Sequence, residues 1–237
     1  MEWVKRTKLL FGEDVIRKFH QSHVLIVGLG GVGAYAAEQI VRAGIGKLTI
    51  VDADTIEPSN INRQMPALHS TLGQTKVQVM ERRLMDINPK LQLTVLNEFL
   101  TEETIPGVLE EPYYYVVDAI DTLSPKVQLI RYSLDRQIPI VSSMGSGGKT
   151  DPSQVSIVDI SKTYNCMLAR KVRKRLSKFN IRKGFTAVFS PEEVSKEMVV
   201  VEEGRYKASN VGTISYMPAV FGCFCASVVI NHLRTID

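Results

Sequence analysis

Cysteine is scarce in this sequence: Cys166, Cys223 and Cys225 are the only three in 237 residues. Three thiols cannot build a dense disulfide framework, and no CxxC pair exists to form a zinc knuckle. The opening stretch MEWVKRTKLL lacks the apolar core of a secretory signal and the arginine-rich, acid-free character of a transit peptide. A reducing cytoplasm is the expected compartment. Hydrophobic residues at 44% and charged residues at 23% are globular proportions, which excludes disorder and fibrous folds. The length suits one large α/β domain spanning residues 1–237.

Acidic residues are missing altogether from residues 160–191. That window carries nine positive charges: Lys162, Arg170, Lys171, Arg173, Lys174, Arg175, Lys178, Arg182 and Lys183. The whole chain is only +4, so the rest of it is −5. An acidic body with one concentrated basic segment is the pattern of a surface that binds a polyanion. The plainer reading is a solvated helix face with acidic neighbours in space.

Formal charge is also absent over residues 208–231. The run VGTISYMPAVFGCFCASVVI is long enough to cross a bilayer. Gly212, Pro218, Gly222, Asn210 and several Ser and Thr residues speak against a span, and a buried C-terminal helix has the same hydropathy. The expectation is the buried helix, with membrane contact as the minor reading. Cys223 and Cys225 then read as buried hydrophobes, leaving Cys166 as the one exposed thiol. His20, His23, His69 and His232 show no ligand spacing and read as ordinary surface or core residues.

The remaining pattern alternates strand and helix. Residues 13–20 read as a short helix and 23–28 as a buried β-branched strand. A glycine turn and an alanine-rich helix closing on Gly44 come next, then a strand over 47–52. Helices are expected over 75–87, 125–136 and 167–179. Strands are expected over 91–96, 113–120, 139–142 and 155–159. Residues 186–189 and 198–201 read as later, antiparallel strands. The strand–turn–helix–strand succession is a βαβ unit, which predicts a doubly wound, Rossmann-like, mostly parallel sheet. The basic segment is a helical insertion in that fold, and the apolar tail is its last helix.

Gly28, Gly30, Gly31 and Gly33 form the turn GLGGVG between the first strand and its helix. Glycine permits a tight turn and lets backbone N–H groups approach a phosphate at the helix N-terminus. Asp52, ending the second strand, can accept hydrogen bonds from ribose hydroxyls. An NAD dehydrogenase would show the same features, so the nucleotide is not chosen here. Arg63 and Lys76, with a metal-binding carboxylate among Asp118 and Asp121, fit a triphosphate better than a dinucleotide.

Together, GxGGxG, the DAD of residues 52–54, NINRQ at 60–64, GQTK at 73–76 and VDAID at 117–121 resemble the ThiF/MoeB-type, ubiquitin-activating-enzyme-like adenylyltransferases. The likeness runs over most of the chain. The opening Arg6-Thr7 to Leu10-Phe11-Gly12, the stretch from Ser146-Gly147-Gly148 to Asp151-Pro152, the basic ARKVR helix at 169–173 and the tail GTISYMP at 212–218 are most similar to the tRNA threonylcarbamoyladenosine dehydratases.

That resemblance implies roles. Gly28 to Gly33 would cradle ATP, Asp52 would hold the ribose, and Asp54 and Asn62 would line the phosphate region. Arg63 and Lys76 would contact the phosphates, with Asp121, rather than Asp118, holding Mg2+. Arg6 would act in trans as an arginine finger, which implies a homodimer. Arg170, Lys171, Arg173, Lys174, Arg175 and Lys178 would hold tRNA carrying threonylcarbamoyladenosine, and the base pocket would lie near residues 146–149. The resemblance also leaves room for a monovalent cation, K+ or Na+, and for a sulfur-relay protein partner. The implied reaction is ATP-dependent cyclisation of the modified nucleoside through an adenylated carboxylate. Adenylation of a ubiquitin-like or sulfur-carrier C-terminus is the alternative. A nucleotide-sensing module without turnover is a further one.

Overall fold

The computed structural model describes residues 2–200 and 210–235. The start of the uncharged run at Ala208 and the end of the expected strand at Val201 lie outside the described residues. The chain opens with two short helices, α1 (Lys5–Phe11) and α2 (Glu13–Gln21), then enters β1 (His23–Val27). The glycine turn leads into α3 (Gly33–Ala43) and β2 (Lys47–Val51), followed by α4 (Lys76–Ile87) and β3 (Gln92–Leu96). A one-turn helix, α5 (Ile105–Val108), precedes β4 (Tyr115–Asp118), α6 (Leu123–Asp135) and β5 (Ile140–Ser143). Next come β6 (Ser156–Asp159), the basic helix α7 (Met167–Leu176) and β7 (Thr186–Phe189). A small ribbon of β8 (Val199–Val200) and β9 (Asn210–Val211) ends at the long α8 (Tyr216–Thr235).

Seven strands form one sheet in the order β3-β2-β1-β4-β5-β7-β6. All pairings are parallel except β6 against β7. The expected antiparallel character of residues 186–189 is therefore corrected in part: β7 runs parallel to β5, and the reversed strand is β6 at the edge. Chain order reverses between β1 and β4, which creates a crevice at their carboxyl ends. Buried side chains alternate across the sheet, as the two-residue strand period requires. Val24, Ile26, Ile50 and Val117 join a core with α2, α3, α4 and α8, whereas Leu25, Val27 and Val116 join one with α6 and α7.

The helices end where the sequence directs. Thr75 caps α4 by accepting from the Gln78 backbone N–H at 3.4 Å. Gly44 closes α3 in the left-handed region, φ 108°. The basic helix is more than an insertion, because Ala169, Val172 and Leu176 are buried in the second core. Helix α8 has the length and apolarity of a membrane span, yet it buries Met217, Phe221, Cys225, Ala226, Val229 and Leu233 in the first core, packed against α3.

The two tail cysteines fall on opposite sides of that helix, since two residues turn a helix by about 200°. Cys225 is buried and Cys223 exposed. Cys166 is buried at 7% exposure, so the expectation that it would be the exposed thiol is reversed. Burial pushes the Cys225 thiol up to about 12.

Candidate functional site

The glycine turn sits in the crevice between β1 and β4. A Cβ on Gly33 would lie 1.7 Å from the Gly28 carbonyl oxygen, and one on Gly28 would lie 2.8 Å from the Ala119 carbonyl oxygen. Only glycine lets the turn close this tightly against the chain leaving β4. Across the turn, Gly31 faces Pro218 and Gly222 faces the Val32 carbonyl, so the start of α8 forms one wall of the turn.

Asp52 ties this turn to β2. Its Oδ2 accepts from the Leu29 backbone N–H at 2.6 Å and its Oδ1 from that of Asp54 at 2.8 Å. Burial raises the Asp52 carboxyl above its ordinary value, while Lys76 and the two N–H donors pull it back. The Lys76 side chain is 6% exposed, and its Nζ lies 2.6 Å from Asp54 Oδ2 and 3.9 Å from Asp52 Oδ1. A desolvated ammonium between two carboxylates is a point charge already placed where an anionic ligand would meet the turn.

The loop before α4 completes this side. Arg63 Nη1 donates to the Ser59 carbonyl at 2.8 Å and to Asn62 Oδ1 at 2.9 Å. Asn62 Nδ2 donates to the Thr213 carbonyl at 2.9 Å, tying the loop to the segment that enters α8. Gln64 lies beside Gly30, and its buried amide oxygen has no hydrogen-bond partner among the described residues. A buried orphan acceptor is uncommon in native interiors, and here it lies beside the glycine turn. Its role was not apparent from the sequence, where Gln64 is simply the end of the NINRQ motif.

The two candidate carboxylates after β4 have different surroundings. Asp118 is fully buried, accepting from Lys126 Nζ at 2.7 Å, Ser142 Oγ at 2.5 Å and the Ile120 N–H at 3.1 Å. Asp121 is exposed, with the Thr122 hydroxyl 3.4 Å away. Magnesium commonly takes one or two carboxylates and completes its octahedron with waters and substrate phosphates. No group of three His, Cys, Asp or Glu suited to a metal occurs among the described residues. A single exposed carboxylate such as Asp121, which follows the Ala119 packed on the turn, fits Mg2+ carried with a nucleotide.

Two lysines look like surface residues in sequence and are not. Lys126 is fully buried against Asp118. Lys149, in the loop after β5, is 2% exposed and donates to the Glu192 carbonyl. Burial lowers the Lys149 ammonium from its ordinary value. The Glu192 carboxylate is itself held by the Thr150 and Asp151 backbone N–H groups.

Arg6 is not brought into this cluster. Its helix α1 is exposed, with Leu9 at 79% and Leu10 at 73%, and the preceding Val4 is seated on Gly44. Gly44 is at the far end of α3 from the glycine turn, about 16 Å along an eleven-residue helix.

The basic segment presents Arg170, Lys171, Lys174, Arg175 and Lys178 to solvent. None of the five forms an ion pair among the described residues. Arg173 departs from the expected set: it turns inward and donates to the Thr163 carbonyl at 2.9 Å and to the Thr163 hydroxyl.

A doubly wound sheet with a glycine turn, a buried lysine and an exposed carboxylate at its switch point defines a nucleotide-binding α/β protein. Residues 4–237 match the ThiF family, and the chain belongs to that family. It is 39% identical over 241 residues to the tRNA threonylcarbamoyladenosine dehydratase of Bacillus subtilis (strain 168), covering 98% of this chain and 95% of that protein. It is 37% identical to the protein of that name from Escherichia coli (strain K12), covering 96% and 91%. The crystal structure of the E. coli enzyme, TcdA, in complex with ATP superposes with a TM-score of 0.89 at 34% identity, covering 98% of this chain and 93% of that one. The resemblance drawn from the motifs and the Rossmann-like fold both stand.

Proposed function

We propose that this protein is an ATP-dependent tRNA threonylcarbamoyladenosine dehydratase. The observation that carries the reading is the presence, on one chain, of a nucleotide cradle at the sheet's switch point and a basic segment, α7 and the turn after it, with five exposed cations unpaired among the described residues. The first suits ATP and the second a large polyanion.

The chemistry asked of the protein is activation of a carboxylate, whose own leaving group would be oxide. One carboxylate oxygen of the threonyl group bonds to the α-phosphorus of ATP, and pyrophosphate departs. The carbamoyl group of the same nucleoside then attacks the acyl carbon, the ring closes with loss of its proton, and AMP leaves. The net change is loss of one water from the nucleoside as ATP becomes AMP and pyrophosphate, a ligase-type reaction. No nucleophilic side chain is required.

Each residue then has a task of holding or neutralising. The turn from Gly28 to Gly33 orients the phosphates, Asp52 receives the ribose hydroxyls, and Asp54 and Asn62 frame the phosphate region. Lys76 exchanges Asp54 for phosphate oxygens as nucleotide enters, and Arg63 turns from the Ser59 carbonyl to join it. Asp121 would hold Mg2+, which would neutralise phosphate charge. Arg6, remote from its own turn, serves a partner's site in a homodimer. The exposed Leu9 and Leu10 beside it supply apolar surface for that contact. The chain acts as one adenylyltransferase domain in the cytoplasm. A monovalent cation, K+ or Na+, and a sulfur-relay protein partner belong to the same reading, as the resemblance implies.

The decisive assay incubates the protein with ATP and tRNA bearing threonylcarbamoyladenosine and reads the nucleoside by mass spectrometry. Loss of one water is expected. An unchanged nucleoside, with AMP formed only when a diglycine-tailed carrier protein is supplied, would return the chain to the carrier-activating branch. Reversing Arg170, Lys171, Lys174 and Arg175 to Glu should raise the KM for tRNA steeply and leave that for ATP unchanged. Binding should also lose salt dependence, by a slope of about 0.7–0.9 per phosphate contact removed. A salt slope equal to wild type would exclude this helix from the RNA interface.

A further inference from the structure

We propose that Tyr164, with Met167 beside it, is a stacking platform for an unstacked nucleobase of the tRNA loop. The inference rests on the tRNA reading above and assigns it a specific contact. Tyr164 is 57% exposed and Met167 61% exposed, two large apolar side chains open to solvent at the start of the basic helix. The tyrosine is not a loose surface ring. It meets Phe189, which is 2% exposed, edge to face with centroids 5.7 Å apart. Arg170 Nη2 lies 3.5 Å from Met167 Sδ, so a guanidinium borders the apolar pair.

Its place in the fold is what makes this surface useful. Phe189 ends β7 at the carboxyl edge of the parallel strands, the edge from which Gly28 and Asp121 also emerge. Strands β4, β5 and β7 are successive neighbours, so at about 4.8 Å per step Ala187 stands level with Asp118 about 10 Å across the sheet, with Phe189 two residues further toward the carboxyl edge. The approach to α7 is fixed on the same side. Cys166 is buried, and Leu168 lies against Gly145 of the loop that leaves β5. The aromatic surface thus stands between the nucleotide crevice and the row of exposed cations on α7.

A folded protein core or membrane contact would want a broader apolar patch than two side chains with Arg170 against Met167 and the exposed Lys171 and Lys174 further along the same helix. An RNA loop wants this combination. Its phosphates seek cations, and its splayed bases seek aromatic faces whatever their sequence. The target nucleoside must leave the loop's stack to reach the adenylating site, which exposes the face of a neighbouring base. Tyr164 is placed to receive that face and hold the loop open.

The test uses the full chain, an anticodon stem-loop RNA carrying 2-aminopurine in the loop, and threonylcarbamoyladenosine-bearing tRNA. Wild type should quench the 2-aminopurine fluorescence on binding. Tyr164→Ala should lose the quench and raise the KM for tRNA roughly five- to one-hundredfold, with the KM for ATP unchanged. Tyr164→Phe should keep both properties, because stacking needs the ring and not the hydroxyl. A Tyr164→Ala variant that quenches and turns over as wild type would overturn the proposal. So would a Phe variant as impaired as the Ala variant, since that would assign the effect to a hydroxyl hydrogen bond. Failure of wild type itself to change the nucleoside would instead remove the tRNA reading, and this contact with it.

Discussion

Replacing Lys76 with methionine is expected to reduce AMP formation on modified tRNA by about two to three orders of magnitude or more, with the fold intact. Methionine keeps much of the apolar stem, so the change removes the charge without opening a large void. The lysine is desolvated and held by Asp54 at 2.6 Å, with Asp52 3.9 Å away. Phosphate oxygens would displace Asp54 at little reorganisation cost, because the ammonium is already stripped of water and aimed. Without it, Asp52 and Asp54 repel an incoming triphosphate. Lys76→Arg should also be impaired, since a planar fork cannot substitute for a compact ammonium in a closed site. The measurement is AMP release alongside a thermal melt. A near-normal rate for the methionine variant would mean that Lys76 is only the structural partner of Asp54.

The second large effect concerns stability. Lys126→Met should destabilise the protein by about 3–5 kcal/mol, because it strands the Asp118 carboxylate in the core without its counter-ion. For a chain of this size that is a fall in Tm on the order of 10 °C. Buried ion pairs are often no better than apolar packing of equal volume. The double variant Asp118→Leu with Lys126→Met should therefore recover most of the lost Tm. It should not recover activity. Asp118 Oδ1 receives the Ile120 N–H, and the preceding Ala119 is packed on Gly28 and Gly33. Removing that acceptor frees the turn that carries Asp121 and abuts the glycine loop. Melting temperature and AMP release measured on the same preparations separate the two roles. A double variant as unstable as the single one would show that the pair contributes net stability instead.

The parts of the fold that were legible in sequence are those whose residues repeat a period. HVLIV and KLTIV are β-branched runs, and Val77, Met80, Leu84 and Ile87 mark one helical face, so β1, β2 and α4 appear within a residue or two of their expected bounds. Helix α1 went unseen because KRTKLLF buries nothing and so carries no core stripe. The expected strand over 113–120 shrank to Tyr115–Asp118 because Ala119 and Ile120 leave the sheet to close against the glycine turn. For the site, the family resemblance nominated Asp52, Asp54, Asn62, Arg63 and Lys76; the structure joins Asp52, Asp54 and Lys76 beside the turn and sets the Arg63 carbonyl against Gly31, while the Asn62 and Arg63 side chains bond within their own loop and to Thr213. Lys126 and Lys149 were not recoverable, since nothing in their neighbours' identity signals burial of a lysine. The phase of Cys223 and Cys225 was equally hidden, because α8 is apolar nearly all round and so has no polar face to set its rotation.

The order of the strands also bears on how such a protein can change over evolutionary time. The glycine turn, Asp52, Lys76 and Asp121 all hang from β1, β2, β4 and the helix after β2, whereas the exposed cations and Tyr164 belong to the crossover between β6 and β7 at the other side of the sheet. The two groups share an edge but no strand. A lineage could lengthen, recharge or replace that crossover and acquire a different macromolecular client while the catalytic end stayed as it was. In the proposed enzyme the choice of client is accordingly a modular property of one connection, separable from the chemistry performed on it.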